Sequence, residues 1–401
     1  MKVVQINAVY GVGSTGRIVE DIHKVLKKNG HESYVFWAVK NSDTSKDKQI
    51  FQIGNVFDHK LHAIKRRIFL NQGFNSKIAT YKLCKRIKEI SPDIVHLHNL
   101  HSNFINLPYL FKFLRTNKIK TLITLHDCWM FTGMCTHYEK WNSCLQWENG
   151  CRECPAVNKK RWDKVRKMYQ TKKECYSNNN SLYVNGVSRW TTEAAKFSMI
   201  HAQKYTCIYN WIDTNVFKPS NAKKKIMLKY NIPEHHKIVL GVSQEWSVEK
   251  GLNEFVKLSG QMKNTVTVIL VGRSTDIIKR DNLIFIGYTK DQEELAELYS
   301  AADLFMNPSR METFGLVTVE AMACGTPVVA YKNTGTKELI TDDTGWLVKD
   351  GDIEAMLELV KKILASNQKK SLITCRTHVI DMFEKNRQLK KYLSLYEEIC
   401  Q

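Results

Sequence analysis

Short apolar runs alternate along the chain with amphipathic stretches, and the alternation occurs twice. In the first half, "KVVQINAV" (2–9), "ESYVFWAV" (32–39), "SPDIVHLHN" (91–99), "IKTLITLHD" (119–127), "SLYVNGVS" (181–188) and "KYTCIYN" (204–210) predict strands. After Asn210 the pattern restarts with "HKIVLGVS" (236–243), "TVTVILVG" (265–272), "NLIFIGY" (282–288), "ADLFMNPS" (302–309) and "TPVVAY" (326–331). Strands that are apolar almost throughout indicate parallel sheets covered on both faces. Helical patterns such as "IVEDIHKVLKKNG" (18–30), with its stop at Gly30, and "QEELAELYSAA" (292–302) lie between them. Two successive runs predict two doubly wound, Rossmann-like α/β domains. They are expected over 1–208 and 209–377, with the boundary near "YNWIDTNVFKPS" (209–220). "HVIDMFEKNRQLKKYLSLYEEIC" (378–400) reads as one long helix, and 378–401 is expected to pack back on the first domain.

Charge adds a partner class. Lys and Arg number 60 against 40 Asp and Glu, a net +20. That implies attraction to nucleic acid, phosphorylated small molecules or an anionic membrane surface, beside the plainer reading of a solvated basic exterior. No uninterrupted apolar stretch reaches the ~18 residues of a membrane span. The opening apolar run is too short for a signal core, so a cytoplasmic location is expected. The 11 cysteines are then expected as thiols or metal ligands rather than disulfides.

Ligands of open parallel sheets sit beyond the carboxyl ends of the strands. Gly11, Gly13 and Gly16 follow the first strand, with the spacing of a dinucleotide fingerprint. No acid ends the second strand at "FWAVK", so a tight turn admitting an anion or sugar to backbone N–H groups is the better reading. His96, His98 and His101 lie at or after the third strand, and His126 and Asp127 end the fourth. Ser243, Gly272, Gly287 and the Asn307–Glu312 loop hold the equivalent places in the second half.

In "ETFGLVTVEAMACGTPVVA" (312–330), Gly315 stands at a helix entrance between Glu312 and Glu320. Backbone N–H groups of Phe314–Val317 are placed to meet a diphosphate. Carboxylates on either side are placed to accept diol hydroxyls, and a nucleotide-sugar offers diols at both ends. Two surface glutamates are the plainer alternative. Lys250, before Gly251, is positioned to neutralise a departing diphosphate.

These pieces resemble a retaining nucleotide-sugar glycosyltransferase of family four with the two-domain GT-B fold. The resemblance is carried by "GVGSTGR", "PDIVHLHNLH", "TLHDCWMFTGMC", "YNWIDTNVFKP", "EKGL", "GYTKDQEELAELYSAADLFMNPS" and the Glu-x7-Glu element from Glu312 to Glu320. "HDCWMFTGMCTHY" further resembles transferases building bacterial capsule, exopolysaccharide or O-antigen chains. The resemblance implies two domains facing a central cleft and a hexosyltransferase reaction without catalytic metal. It implies Glu312 on the donor sugar, Glu320 on the ribose, Thr313, Phe314, Gly315 and Leu316 offering N–H groups, and Lys250 on the diphosphate. His126 would lie beside the sugar, and Gly13–Gly16 near donor phosphate and acceptor. It also implies a nucleotide-sugar donor and a glycan or lipid-diphosphate-linked acceptor, with no nucleic acid as partner. One element departs: the family's arginine, about five residues before the lysine, falls near Glu245 and Trp246 here, and Arg17 or Arg273 are the candidates to replace it. Asp350-Gly351-Asp352 matches a metal-binding triplet of other glycosyltransferases, but Asp352 reads as the N-cap of the helix after it.

Within a cysteine-rich insertion near 128–155, Cys135, Cys144, Cys151 and Cys154 have ligand-like spacing. Structural zinc, free thiols and disulfide or redox chemistry are its three readings, zinc being the one the spacing favours. "KKRWDKVRKMYQTKK" (159–173) and "HKLHAIKRRIFLNQGF" (59–74) predict basic amphipathic helices, either solvated or docked on anionic lipid headgroups. The latter expectation is a peripheral position at the inner face of the cytoplasmic membrane. A basic nucleic-acid-binding protein and a GT-B nucleotide-sugar epimerase are the alternatives. The first leaves Glu-x7-Glu unexplained, and the second fits poorly with "HDCWMFTGMC".

Overall fold

The computed structural model describes residues 1–39, 47–138, 144–275, 278–366 and 370–401. Residues 139–143 of the cysteine-rich insertion therefore lie outside the described residues. The chain divides into two compact units, Met1–Ile208 with Leu389–Gln401, and Tyr209–Gln388.

The first unit is built on strands β1 (Lys2–Ile6), β2 (Glu32–Trp37), β3 (Ile50–Gln52), β4 (Ile94–Leu97), β5 (Lys120–Leu125), β6 (Leu182–Gly186) and β7 (Lys204–Cys207). They form one parallel sheet in the order β3-β2-β1-β4-β5-β6-β7. Helices α1 (Gly13–Lys28), α2 (Val56–Phe69), α3 (Lys77–Ile90), α4 (Leu107–Thr116), α5 (Trp162–Tyr176) and α6 (Arg189–Lys196) connect the strands. Every residue of β4 is buried, as a strand covered on both faces requires. Helix α1 begins at Gly13, five residues earlier than its apolar periodicity indicates, and buries Ile18, Val19, Ile22 and Leu26.

The second unit carries β8 (Lys237–Glu245), β9 (Val266–Arg273), β10 (Leu283–Ile286), β11 (Leu304–Asn307), β12 (Val328–Tyr331) and β13 (Gly345–Val348). Their order is β10-β9-β8-β11-β12-β13, again parallel. Its helices are α7 (Lys223–Lys229), α8 (Leu252–Gln261), α9 (Gln292–Ala301), α10 (Leu316–Ala323), α11 (Ile353–Ala365) and α12 (Leu372–Phe383), and α13 (Lys385–Cys400) follows. Each sheet has one point where strand order reverses, beside β1 and β4 in the first and beside β8 and β11 in the second. Crevices beyond strand carboxyl ends at such points are where doubly wound sheets take ligands.

The eleven strands read from the sequence are all present, and two more complete the sheets. Strands β3 and β13 are edge strands of three and four residues, too short to show a pattern. The expected single helix over 378–400 is two: Glu384 has extended backbone (φ −68°, ψ 139°), and Ile212 pairs with this break through Ile212 N–H to Phe383 O and Lys385 N–H to Ile212 O. In the first unit, the end of α13 is tied down by Tyr396 Oη at 2.7 Å from His96 Nδ1 and by Asn185 Nδ2 donating to Tyr392 Oη at 2.9 Å.

Candidate active site

In the second unit the carboxyl end of β8 meets the carboxyl end of β11. Strand β8 changes register against β9 between Val242 and Glu245. Ser243 O comes so near Gly272 that a Cβ there would stand 1.7 Å from it, so the bulge depends on that glycine. The Ser243 hydroxyl donates to Glu245 O at 2.9 Å. A 3₁₀ turn over Val248–Lys250 then ends in Gly251 at φ 83°, pressed against Pro308 of the loop after β11.

This apposition delivers Lys250 to the Glu312 loop. Lys250 Nζ stands 2.7 Å from Glu312 Oε1 and donates to Ser309 Oγ and Met311 O, each at 3.2 Å. Both side chains are half-buried. The loop itself is fixed: Glu312 N–H donates to Thr334 Oγ1, and Gly335 N–H donates to Glu312 O at 3.0 Å. A side chain at Gly335 would strike Thr313 O.

Gly315, at φ 101° and ψ 59°, caps α10 in the left-handed region. Behind it Phe314 is buried against Tyr209 and Phe383. In the first turn of α10 Thr318 N–H donates to Gly315 O at 3.0 Å, and the helix entrance ahead of it carries donors and a partial positive charge. Glu320, in the same helix, accepts from Tyr299 Oη at 2.9 Å. Burial, and then the Glu320 charge, hold the Tyr299 phenol well above its usual range, so it remains a donor.

In the first unit, Gly11 N–H donates to Gly16 O at 3.0 Å, and a Cβ at Gly16 would press on Gly11 N and Val9 Cγ2. The glycines thus hold the start of α1 close against the end of β1. Gly13 forms the first helical turn at φ 63°, so the Gly13–Gly16 segment offers a second helix N-terminus.

His126 follows β5 and is buried, its Nε2 3.0 Å from His98 Nδ1. His98 Nε2 reaches Gln5 Oε1 at 3.3 Å. His96 lies between Tyr396 and Thr124. Burial pushes His126 down to about 4 and holds His98 and His96 well below the usual range, so all three are neutral at pH 7. A neutral imidazole can both donate to and accept from a hydroxyl. Asp127 Oδ2 stands 2.9 Å from His101 Nε2, and Oδ1 accepts from Trp129 N–H. His101 and that N–H outweigh burial and keep the Asp127 carboxyl below its usual range.

Of the residues singled out in the sequence, the fold joins Lys250 to Glu312 and to Ser309, and places Thr313–Leu316 and Glu320 along one helix entrance. The place of the expected arginine is structural: Trp246 is buried, packs edge-on against Phe255 at 5.2 Å and donates from Nε1 to Val271 O. Arg273 lies over the Tyr288 ring at 4.8 Å. Arg310, which the sequence did not mark, lies two residues before Glu312, but its guanidinium stands 3.8 Å from buried Glu254, which also accepts from Tyr331 Oη. Nothing in the sequence marks Tyr299 or Glu254 either, because an aromatic and an acid in helical patterns carry no local signal of their tertiary partners. Asp352 is the N-cap of α11, accepting from Ala355 N–H, while Asp350 accepts from Asn333.

The basic stretch 159–173 forms the expected amphipathic helix, α5, with a solvated basic face. Val165, Met168 and Tyr169 are buried, and so is Lys172, which donates to the carbonyls of Trp129, Thr132 and Gly133. Here α5 braces the loop after His126 and is covered on its apolar side. In that loop Cys135 and Cys154 share a hydrogen bond between their sulfurs. Cys151 Sγ accepts from Gly133 N–H at 3.2 Å, Cys144 from Gln146, and Cys154 from Ala156 and Val157. Among the described residues, no three His, Cys, Asp or Glu side chains stand assembled as a metal-binding group.

The model of the family described as Glycosyltransferase Family 4 matches residues 15–216, half of the chain, and that of Glycosyl transferases group 1 matches residues 222–375. An uncharacterized 41.2 kDa protein in the cps region of Klebsiella pneumoniae is 25% identical over 84% of this chain and 88% of its own length. The putative colanic acid biosynthesis glycosyl transferase WcaC of Escherichia coli is 22% identical over 91% of both chains. Among solved structures, sucrose-phosphate synthase from Thermosynechococcus elongatus superposes with a TM-score of 0.72 at 20% identity, covering 99% of this chain and 98% of that one. Anabaena HepE in complex with UDP gives 0.71 at 17% identity, over 99% and 100%. The chain shares the GT-B fold with these solved structures.

Proposed function

This chain belongs to glycosyltransferase family 4, and from that premise we propose that it transfers a sugar from a nucleoside-diphosphate sugar, with retention, to a growing surface polysaccharide. The Lys250–Glu312 pair at the entrance of α10 carries this reading. A diphosphate seated on the first turn of α10 would draw Lys250 off Glu312, and the freed carboxylate would accept hydroxyls of the donor sugar. Glu320, aimed by Tyr299, would take the ribose diol. HepE crystals with UDP and with UDP-glucose support a donor of this class. The cps-region and colanic acid relatives support the polysaccharide product.

In the reaction the bond from the anomeric carbon to the diphosphate oxygen breaks, and the acceptor oxygen bonds to the same face. The acceptor's proton passes to the leaving phosphate oxygen, so no protein base is required. Lys250 and the N–H groups of α10 stabilise the charge that develops on the diphosphate, a term worth several kcal/mol in preorganised sites. Neutral His126, held by His98, orients the sugar, with the Gly13–Gly16 turn at the phosphate and acceptor. The catalysis proposed is metal-independent. The acceptor proposed is a glycan on a lipid diphosphate, at the inner face of the cytoplasmic membrane.

Structural zinc at Cys135, Cys144, Cys151 and Cys154 is our proposal for the cysteine-rich loop. Its support is the ligand-like spacing of the four cysteines and the Cys135–Cys154 contact, which holds the Cys154 thiol below its usual range. The ion would draw the four sulfurs together and stiffen the loop after His126, with no part in the chemistry.

A panel of nucleoside-diphosphate sugars, read by thermal shift and by donor hydrolysis, tests the donor class. One member should raise the melting temperature, and the product anomer formed from it should match the donor's by NMR. An inverted product would overturn retention, and a panel without any response would overturn the donor class.

A further inference from the structure

Helix α2 is turned inside out relative to a surface helix. Phe57, Leu61, Ile64 and Ile68 recur at helical spacing along one stripe, and all four are exposed, Phe57 at 73%. Val56 and Phe69 lie to either side of the stripe, roughly 110° from its axis at 100° per residue, and are exposed as well. The buried residue of the helix is instead polar: His62 bonds to Ser76 Oγ at 2.7 Å and accepts from Gly73 N–H. So the helix is fastened to its unit by polar contacts, His62 together with His59 Nε2 on Ile53 O and Lys164 Nζ donating to Ile68 O, while its apolar side faces outward. Exposed Ile78 and Tyr81 of α3 add to the outward apolar surface of the same unit.

The rim of the stripe decides the occupant. At 100° per residue, Lys60 and Arg67 fall on one side of it and Lys65 on the other. Arg66 falls on the opposite side, beside His62, and Asp58, on the Lys65 side, is committed to the capping box with Asn55. An apolar stripe bordered by cations on both sides is complementary to a bilayer surface: acyl chains for the stripe, anionic headgroups for its borders. The other basic stretch, α5, has its apolar residues buried and only its charges outside, so it lacks the apolar half of this complementarity. No helix among the described residues is long and apolar enough to cross a membrane.

We propose that α2 lies in the interface of an anionic phospholipid bilayer, with Phe57, Leu61, Ile64 and Ile68 among the acyl chains and Lys60, Lys65 and Arg67 on phosphate headgroups. This names the surface and lipid chemistry for the membrane-side acceptor proposed above, and rests on that reading for its purpose alone. The full chain is floated with vesicles of phosphatidylcholine alone and of phosphatidylcholine with 30% phosphatidylglycerol, without any sugar donor. Binding to the anionic vesicles should exceed binding to the neutral ones at least tenfold and fall in 0.5 M salt. Ile64→Glu with Ile68→Glu should abolish it, and Lys60→Glu with Lys65→Glu should reduce it tenfold, with melting temperatures unchanged. Lys167→Glu with Lys173→Glu on α5 should bind as wild type. Equal binding to both vesicle types, no binding, or wild-type binding by the Ile64/Ile68 variant would overturn the proposal. So would a dimer in light scattering that the same variant dissolves, which would make the face a self-contact. Since vesicle binding needs no transfer, its failure leaves the donor reactions above to stand or fall separately.

Discussion

Lys250 and Glu312, 62 residues apart in the chain, form a half-buried ion pair of 2.7 Å at the entrance of α10. Each holds the other where a ligand would otherwise be met. A cation and an anion that must part on binding act as one unit, so their losses should not add. Lys250→Ala and Glu312→Ala should each lower kcat/KM on the order of 10²–10³-fold, with the double variant little worse than either. Simple multiplication of the two losses, or near wild-type transfer by either variant, would remove the pair from the mechanism.

Glu320 and Tyr299 test the ribose end. Glu320→Gln should raise the donor KM about tenfold and change kcat less, because the contact is made equally in ground and transition states. Tyr299→Phe leaves the carboxylate in place but unaimed, and should raise KM by a smaller factor. An unchanged KM in Glu320→Gln, measured with the preferred donor, would move the ribose elsewhere.

The buried histidines of the first unit make stability depend on pH. Their folded values lie below the unfolded value of 6.5, His126 at about 4. Between these limits the unfolded chain takes up protons that the folded chain refuses. Stability is therefore complete above about pH 6.5 and is lost as pH falls toward 4. For His126 alone that is up to about 3 kcal/mol. Urea midpoints should drop steadily from pH 7 to 4.5, and His126→Gln should flatten the curve. Identical slopes for variant and parent would count against the burial argument.

Metal analysis of protein purified without chelator decides the cysteine loop. About one equivalent of zinc is expected, and none in Cys151→Ser with Cys154→Ser. A zinc-free wild type would leave Cys135 and Cys154 as a hydrogen-bonded thiol pair.

Much of this fold is legible without coordinates, because a parallel strand buried on both faces must be apolar nearly throughout. β1, β4, β8, β11 and β12 announce themselves that way. β3 and β13 do not, since three or four residues at a sheet edge carry no period. The break at Glu384 is equally silent: the apolar spacing runs through it, and the extended backbone is held by Ile212, more than 170 residues away. The site divides likewise. Glu312, Gly315, Glu320 and Lys250 stand out by type and spacing, and Asp352 by its place before a helix. Tyr299, Glu254 and Arg310 are visible only through their partners.

The two basic stretches show the division most plainly. Residue order alone settles that α2 and α5 are amphipathic and cationic, since 3.6-residue spacing is a local property. It cannot settle which apolar face finds a partner, because that depends on what the rest of the unit brings against it. For α5 the loop after His126 supplies that partner and even buries Lys172. For α2 the anchors are polar, His62 on Ser76 and Gly73, His59 on Ile53 O and Lys164 on Ile68 O, and the apolar stripe is left outside. Local spacing creates the face; long-range packing alone determines whether it becomes core or surface.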